Sequence, residues 1–321
     1  MDGTAKIVEQ VDEVLQNKCP DKVCEKFVKT GIHGFDNLIR DGIPEGSNII
    51  IAGGPGCGKT IFCLQTLYHM ASEGYDCVYL SMEERPDRLK SHMLSFGFRV
   101  KEIKRDPNQI ILRVGDKGRI ALKRLQPILI GRSVEALLEK ASGRLPIDID
   151  IVLDIVPTGF HPRLLVLDSI SAIETSFSGK LEQYRIYIEQ LFRFFEELQL
   201  TTFLITESSD APYKFSRTGV EDFLADGIVV FYNFQGEAER LRGVEIIKLR
   251  GTSHSQRIVP IKITSEGMNV FSSNFFNLKT RIQQPTIEHS AREIEAQNEI
   301  SYSSENEEEV LRKILREKVK P

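Results

Sequence analysis

The chemistry-bearing residues of this chain fall in a few short stretches. The densest is Gly53-Gly54-Pro55-Gly56-Cys57-Gly58-Lys59-Thr60, which completes the phosphate-loop pattern Gly-x-x-x-x-Gly-Lys-Thr. Glycines let backbone N–H groups turn inward on a phosphate, where side chains would block the approach. The N-terminus of a following helix adds a fixed partial positive charge. Lys59 has the reach for β- and γ-phosphate oxygens, and the Thr60 hydroxyl suits Mg²⁺. Gly53 to Ile61 is therefore the candidate nucleotide-binding segment. The bland alternative is a glycine turn that binds nothing, and the strand–loop–helix context speaks against it.

Asp168 ends an apolar strand pattern, Arg163-Leu164-Leu165-Val166-Leu167. A carboxylate there can hold a Mg²⁺-bound water opposite Thr60. Glu83 and Glu84 follow the second apolar strand. Ligands of open α/β sheets bind at that edge, so a carboxylate could orient a water for attack on a γ-phosphate. Successive residues of extended chain point oppositely, so only one of the two is expected to face the phosphate. Solvated acids at a helix start are the equal alternative. Lys248 and Arg250 share one face of a late strand, with Leu249 turned away. They read either as cations for a phosphate or as charges blunting an edge strand, and spacing does not choose.

Elements must hold these residues in place. Asn48–Ala52 reads as a buried parallel strand, and Lys59 to Ser72 as the helix after the loop. Asp76–Ser81 is a second strand, followed by a helix from Pro86 to Phe96 that Gly97 closes. Arg163–Ser169 is a third strand, with a long amphipathic helix over Lys180–Gln199. Thr201–Thr206 is a fourth. Gly227–Asn233, Val244–Arg250 and Arg257–Thr264 then come without helices between them. The fold class is α/β, a mostly parallel twisted sheet flanked by helices with a β-rich C-terminal edge. Helical spacing also marks Thr4–Gln16, Ser133–Lys140 and Asp148–Ile155. Between Arg99 and Pro162 turn signals also stand at Asp106-Pro107, Gly115-Asp116 and Lys117-Gly118. From Gln284 to Glu309 Ser, Glu, Asn and Gln dominate, which favours disorder, and Val310–Leu315 has the spacing of a short terminal helix.

With 321 residues, 41% hydrophobic, the chain can build a substantial core. A formal net charge of −4 gives no bulk electrostatic case for nucleic acid. No run approaches the ~18 apolar residues of a membrane span, and no signal-peptide core is present, so a cytoplasmic protein without a membrane partner is expected. Its five cysteines then read as thiols. Cys19 and Cys24 lack a second pair for zinc. Cys57 in the loop could block nucleotide if oxidised, or simply be a small residue that fits.

Taken in order, Thr30-Gly31-Ile32-x-Gly34-Phe35-Asp36, the phosphate loop, Ser81-Met82-Glu83-Glu84, Val166-Leu167-Asp168-Ser169, Gly219–Asp226 and Lys248-Leu249-Arg250-Gly251-Thr252-Ser253-His254 form a signature. The chain resembles the KaiC family of RecA-like ATPases, in its archaeal single-domain form, from about Phe27 to Phe271. The resemblance implies a RecA-like P-loop core with ATP and Mg²⁺, in a homo-hexameric ring that holds nucleotide between subunits. It implies Glu83 as the water-activating carboxylate with Glu84 in support, and Thr60 and Asp168 at the metal. It also implies Lys248 and Arg250 as fingers on a neighbour's γ-phosphate, with Ser253 and His254 near that neighbour's nucleotide sugar. Residues 1–26 then form a helical extension, 27–275 the ATPase domain and 276–321 a polar tail. Where the clock proteins carry phosphorylated Ser and Thr, this chain has Asp222 and Phe223, so the resemblance carries no autokinase activity by that route. The leading expectation is a slow ATPase cycle in signalling or regulation, with a protein partner. Two other readings are a recombinase-like ATPase on single-stranded DNA, through Ser171–Lys180 and Glu207–Gly219, and a scaffold that uses ATP as assembly glue.

Overall fold

The computed structural model describes residues 27–125, 155–175, 177, 181–207, 215–216, 218–236 and 239–276. The helices expected over Thr4–Gln16 and Ser133–Lys140, all but the last residue of Asp148–Ile155, Cys19, Cys24 and the tail lie outside them. In chain order the elements are β1 (Phe27–Val28), β2 (Ile43–Pro44), β3 (Asn48–Gly53), α1 (Lys59–Ser72), β4 (Asp76–Ser81), α2 (Pro86–Ser95), β5 (Lys101–Asp106), β6 (Gln109–Val114) and β7 (Gly118–Arg124). They continue with β8 (Pro162–Asp168), α3 (Ile170–Thr175), α4 (Leu181–Glu197), β9 (Thr201–Glu207), α5 (Val220–Leu224), β10 (Gly227–Gln235), β11 (Arg240–Leu249), β12 (Val259–Thr264) and β13 (Gly267–Val270). β1 and β2 pair with each other, and the other strands form one sheet in the order β13-β12-β11-β10-β3-β9-β8-β4-β7-β6-β5.

From β10 to β7 that sheet is parallel. Its central strands are apolar on both faces, as helices on both sides require. Alternation then sorts the side chains. Ile49, Ile51, Cys77, Tyr79, Leu164 and Val166 pack with α1 and α2. Ile50, Ala52, Val78, Leu80, Leu165 and Leu167 pack with α3 and α4. Phe62 fixes α1 to the sheet, its ring centroid 4.8 Å from Phe35, 5.8 Å from Phe203 and 5.1 Å from Phe231. Each aromatic pair adds about 0.5–1.5 kcal/mol beyond its burial. The start of α1, and with it the phosphate loop, is anchored by that cluster.

The β-rich C-terminal edge is present as antiparallel β11, β12 and β13. A second antiparallel edge, β5 and β6 against β7, has no counterpart in the sequence reading. Its turns fall where the turn signals stand. β6 carries a buried apolar run, but β5, Lys-Glu-Ile-Lys-Arg-Asp, gives no strand signal because it is an exposed edge whose charges pair locally. Lys90 Nζ lies 2.7 Å from Glu102 Oε2, and Arg105 Nη1 lies 2.6 Å from Asp87 Oδ1. Such a charged edge carries no apolar alternation and resists pairing with another chain. The short helix α3 and strand β13 were likewise not anticipated.

Gly118 lets β7 pass under the end of α1, since a Cβ there would lie 1.7 Å from the Ala71 carbonyl oxygen. Gly115 needs its glycine only for a φ of +58, with open space around it. Gly118→Ala should therefore cost roughly 3 kcal/mol or more through forced backbone separation, and Gly115→Ala roughly 1–2 kcal/mol. Urea unfolding of the two variants checks the order; equal losses would contradict the close approach.

Candidate active site

Register brings the C-terminal ends of the central strands to one level. Gly53 pairs with Glu207 and with Phe231, and Asp168 pairs with Ser81. The phosphate loop leaves β3 at that level and enters α1 through Gly58, which holds the left-handed N-cap conformation at φ 110. At Gly53 a Cβ would lie 2.4 Å from the Phe231 carbonyl oxygen and 2.8 Å from Cys57 Sγ. Lys59 Nζ donates to the carbonyls of Gly53 at 2.8 Å and Gly54 at 2.9 Å. Arg242, at the start of β11, donates from Nε to the Gly56 carbonyl at 3.1 Å. Pro55 and Gly56 are exposed, while Cys57 is fully buried and Ile61 nearly so. Burial pushes the Cys57 thiol above its ordinary range, which fits a small filler of the loop.

The carboxylates sort themselves beside it. Asp168 Oδ2 accepts a 2.5 Å hydrogen bond from the buried Tyr79 phenol, and the Thr60 side chain lies beside the same phenol. Ser169 Oγ lies 3.5 Å from Glu83 Oε1, a long contact, so Glu83 stands on the Asp168 side and is exposed. Glu84 turns the other way. Its Oε2 lies 3.5 Å from His92 Nδ1 on α2, too long for a good hydrogen bond, and makes no other side-chain bond. The two adjacent acids thus point apart.

Lys248 and Arg250 lie at the opposite end of the sheet. Leu249 pairs with Gly227, which pairs with Ile49 at the start of β3, whereas Gly53 pairs with Phe231. Four strand residues, roughly 13 Å at about 3.3 Å each, separate the two levels. Lys248 Nζ donates to the carbonyl of Ala225 at 2.5 Å and, more weakly, to those of Phe223 and Asp222. Arg250 Nη1 is 3.4 Å from Asp226 Oδ1 and its side chain is 59% exposed. Leu249 is buried between them, as alternation requires. Ser253 and His254 continue at that end: the Ser253 carbonyl accepts from Arg40 N, and His254 bridges to Ile39. The structure thus gathers the phosphate loop, Thr60, Asp168 and Glu83, and keeps Lys248, Arg250, Ser253 and His254 away from them.

The sequence matches the KaiC ATPase family model over residues 28–274. The chain belongs to the KaiC ATPase family. A UPF0273 protein of Thermotoga maritima is 31% identical over 77% of this chain and 97% of its own length. The circadian clock oscillator protein KaiC of Acaryochloris marina is 29% identical over 79% of this chain, which spans 45% of that protein. A crystal structure of a KaiC-like protein from Pyrococcus horikoshii superposes with a TM-score of 0.56, at 30% identity, over 76% of this chain and 98% of the other. This KaiC-family chain therefore carries a single ATP-binding domain of the RecA type, and it spans about half the length of the clock proteins it resembles. Among the described residues no helix is long and apolar enough to cross a membrane.

Two contacts of this KaiC-family site escaped the sequence reading. Arg242 gives no local signal; only the antiparallel return of β11 brings it to Gly56. Tyr79 had one, a phenol inside the apolar run Cys77–Leu80, since a buried hydroxyl needs a partner. In the Glu207–Gly219 segment, where aromatic rings could stack on bases, Phe215 instead packs against the core beneath α3 and α4, and Tyr213 lies outside the described residues.

Burial holds the Asp168 carboxyl well above its usual range, at about 6, with the Glu83 and Glu84 charges adding to the rise and the Tyr79 bond and Lys59 opposing it. The sign of the linkage follows. Between about 4 and 6 the unfolded chain has released this proton and the folded chain keeps it, so stability falls as pH rises through that window. Relative to Asp168→Asn, the nucleotide-free protein should lose up to about 3 kcal/mol from pH 4 to pH 6.5 and run parallel above that. Chemical unfolding at a series of pH values tests this; a flat difference would contradict it.

Proposed function

We propose that this KaiC-family chain hydrolyses ATP slowly, in a homo-oligomeric ring, most simply a hexamer, whose sites are completed in trans, and that this cycle serves signalling or regulation through a protein partner. The observation that carries the reading is the separation of the phosphate loop from Lys248 and Arg250 by the length of the parallel ladder. The cations of one chain are out of reach of its own phosphates, which supports a neighbour's phosphates as their target.

The residues fit the ligand. Lys59 rests on carbonyls that a phosphate oxygen can replace as its partner. A hydroxyl and a carboxylate, Thr60 and Asp168, form the hard oxygen set that Mg²⁺ takes. Bound there, Mg²⁺ would neutralise charge on the phosphate oxygens. Glu83 stands beside Asp168, free of the His92 contact that draws Glu84 away, and acts as the base that orients the attacking water. Arg250 and Lys248 of a neighbour stabilise the charge that develops on the γ-phosphoryl oxygens, and Ser253 and His254 lie toward that neighbour's nucleotide. Glu84 supports Glu83 through the backbone turn, where its N–H donates to Ser81 Oγ at 2.8 Å.

Glu83→Gln should keep ATP affinity and lose roughly 10²-fold or more in turnover, since an amide accepts no proton. Glu84→Gln should lose much less. Calorimetry with single-turnover assays distinguishes them, and a dead Glu84→Gln beside an active Glu83→Gln would reverse the assignment.

Arg250→Ala should bind ATP normally and turn over slowly, by up to roughly 10³-fold, whereas Lys59→Ala should lose nucleotide binding. Mixing the two should restore activity, because one interface then draws its loop from one variant and its finger from the other. Native mass measurement with turnover assays, run with and without single-stranded DNA, tests the whole reading. Full turnover by a dilute monomer, or no rescue despite subunit exchange, would remove the composite site. Strong stimulation by DNA would favour the recombinase-like reading.

A further inference from the structure

Tyr79 lies at the centre of β4 and is completely buried. Its ring belongs to the core beneath α1, among Phe62, Cys63 and Val166. Phenylalanine would fill that volume, so packing gives no reason for the hydroxyl. Taking a phenol out of water beside a carboxylate costs free energy unless it is bonded. Here it donates one bond, to Asp168 Oδ2 at 2.5 Å, with the Thr60 side chain beside it. These are the two residues assigned above to Mg²⁺. They come from different elements, Thr60 from the first turn of α1 and Asp168 from the end of β8. Tyr79 stands between them because β4 pairs with β8, and alternation turns Tyr79, Val166 and Asp168 to the α1 side.

We propose that Tyr79 is a positioning residue for the Mg²⁺ site, fixing the Asp168 carboxylate beside Thr60 before nucleotide arrives. The inference rests on the ATPase reading above and adds to it a residue that touches neither phosphate nor water. The hydroxyl engages one carboxylate oxygen and limits the rotation of Asp168, leaving the second oxygen for the metal's water shell. Groups that orient metal ligands in this way typically govern about 10–100-fold in metal affinity. Among the described residues Tyr79 makes no hydrogen bond to the loop carbonyls that hold Lys59, so phosphate binding without metal should not depend on it.

The test is calorimetry of a non-hydrolysable ATP analogue, with Mg²⁺ and with EDTA, on the full chain and on Tyr79→Phe. In EDTA the two should bind alike. The Mg²⁺ needed for half-maximal gain in affinity should rise about 10-fold or more in Tyr79→Phe. In an Asp168→Asn background the same substitution should add nothing, because its effect runs through that carboxylate. A second measurement avoids any folding defect: 3-fluorotyrosine at position 79 of the otherwise native chain should shift its fluorine resonance with Mg²⁺ and analogue together, and not with analogue in EDTA. If the native chain gains no affinity from Mg²⁺, the ATPase reading and this inference fall together. If it gains affinity and Tyr79→Phe gains the same, or the fluorine resonance ignores Mg²⁺, this inference alone is overturned.

Discussion

Parallel strands β10, β3, β9, β8, β4 and β7 end their C-termini along one sheet edge, and the register between them levels Gly53, Asp168, Ser81 and Glu207. Every other feature of the site depends on that alignment. A slip of one residue in β8 would turn Asp168 away from α1 and into the other core, because side chains alternate between faces. Register is held by apolar strands buried on both faces, each large side chain contributing about 1.5–3 kcal/mol on burial. The site is thus fixed by the core beneath it and asks little of the loops around it.

The local electrostatics of that edge are unbalanced in a useful way. Lys59 spends its charge on neutral carbonyls. Asp168, close by, lacks a full counter-charge, and its carboxyl is held at about 6 mainly by burial. A ligand bringing an anion for the lysine and a cation for the carboxylate relieves both strains at once, and Mg²⁺ with a nucleotide phosphate does so. The same imbalance explains the Tyr79 bond, which offsets part of the cost of burying the carboxylate while the cation is away.

The other end of the sheet has its own logic. Lys248 is half-buried against the carbonyls of Asp222, Phe223 and Ala225, and burial lowers its pKa, with Arg250 beside it adding to the fall. Arg250 extends further into solvent, on a loose contact with Asp226. One cation is therefore built into the surface and the other is available. Beside them Phe223 is 82% exposed, at the position where the clock-type relatives were expected to carry a hydroxyl. An aromatic ring there cannot take a phosphate.

Much of this was legible in order along the chain. The glycine pattern, the lysine and threonine after it, the apolar strand ending in Asp168, and helices at Lys59–Ser72 and Pro86–Ser95 are local features, and local spacing determines them. β5 was not legible, because a solvated charged strand has no apolar alternation to read, whereas β6 carries a buried apolar run and was legible in principle. Spacing alone also left Glu83 and Glu84 as equals, where the family resemblance favoured Glu83, and the fold turns Glu83 toward Ser169 and Glu84 toward His92 on α2. Spacing left Lys248 and Arg250 open between a phosphate and a blunted edge, and only the antiparallel return of β11 carried them to the far end from their own loop. Tyr79 reaches Asp168 and Arg242 reaches Gly56 through strands distant in sequence. Residue type and spacing determine what chemistry the chain can do, since they act within a few residues. Which groups meet is decided by strand order and register, which arise from burying the whole sheet at once.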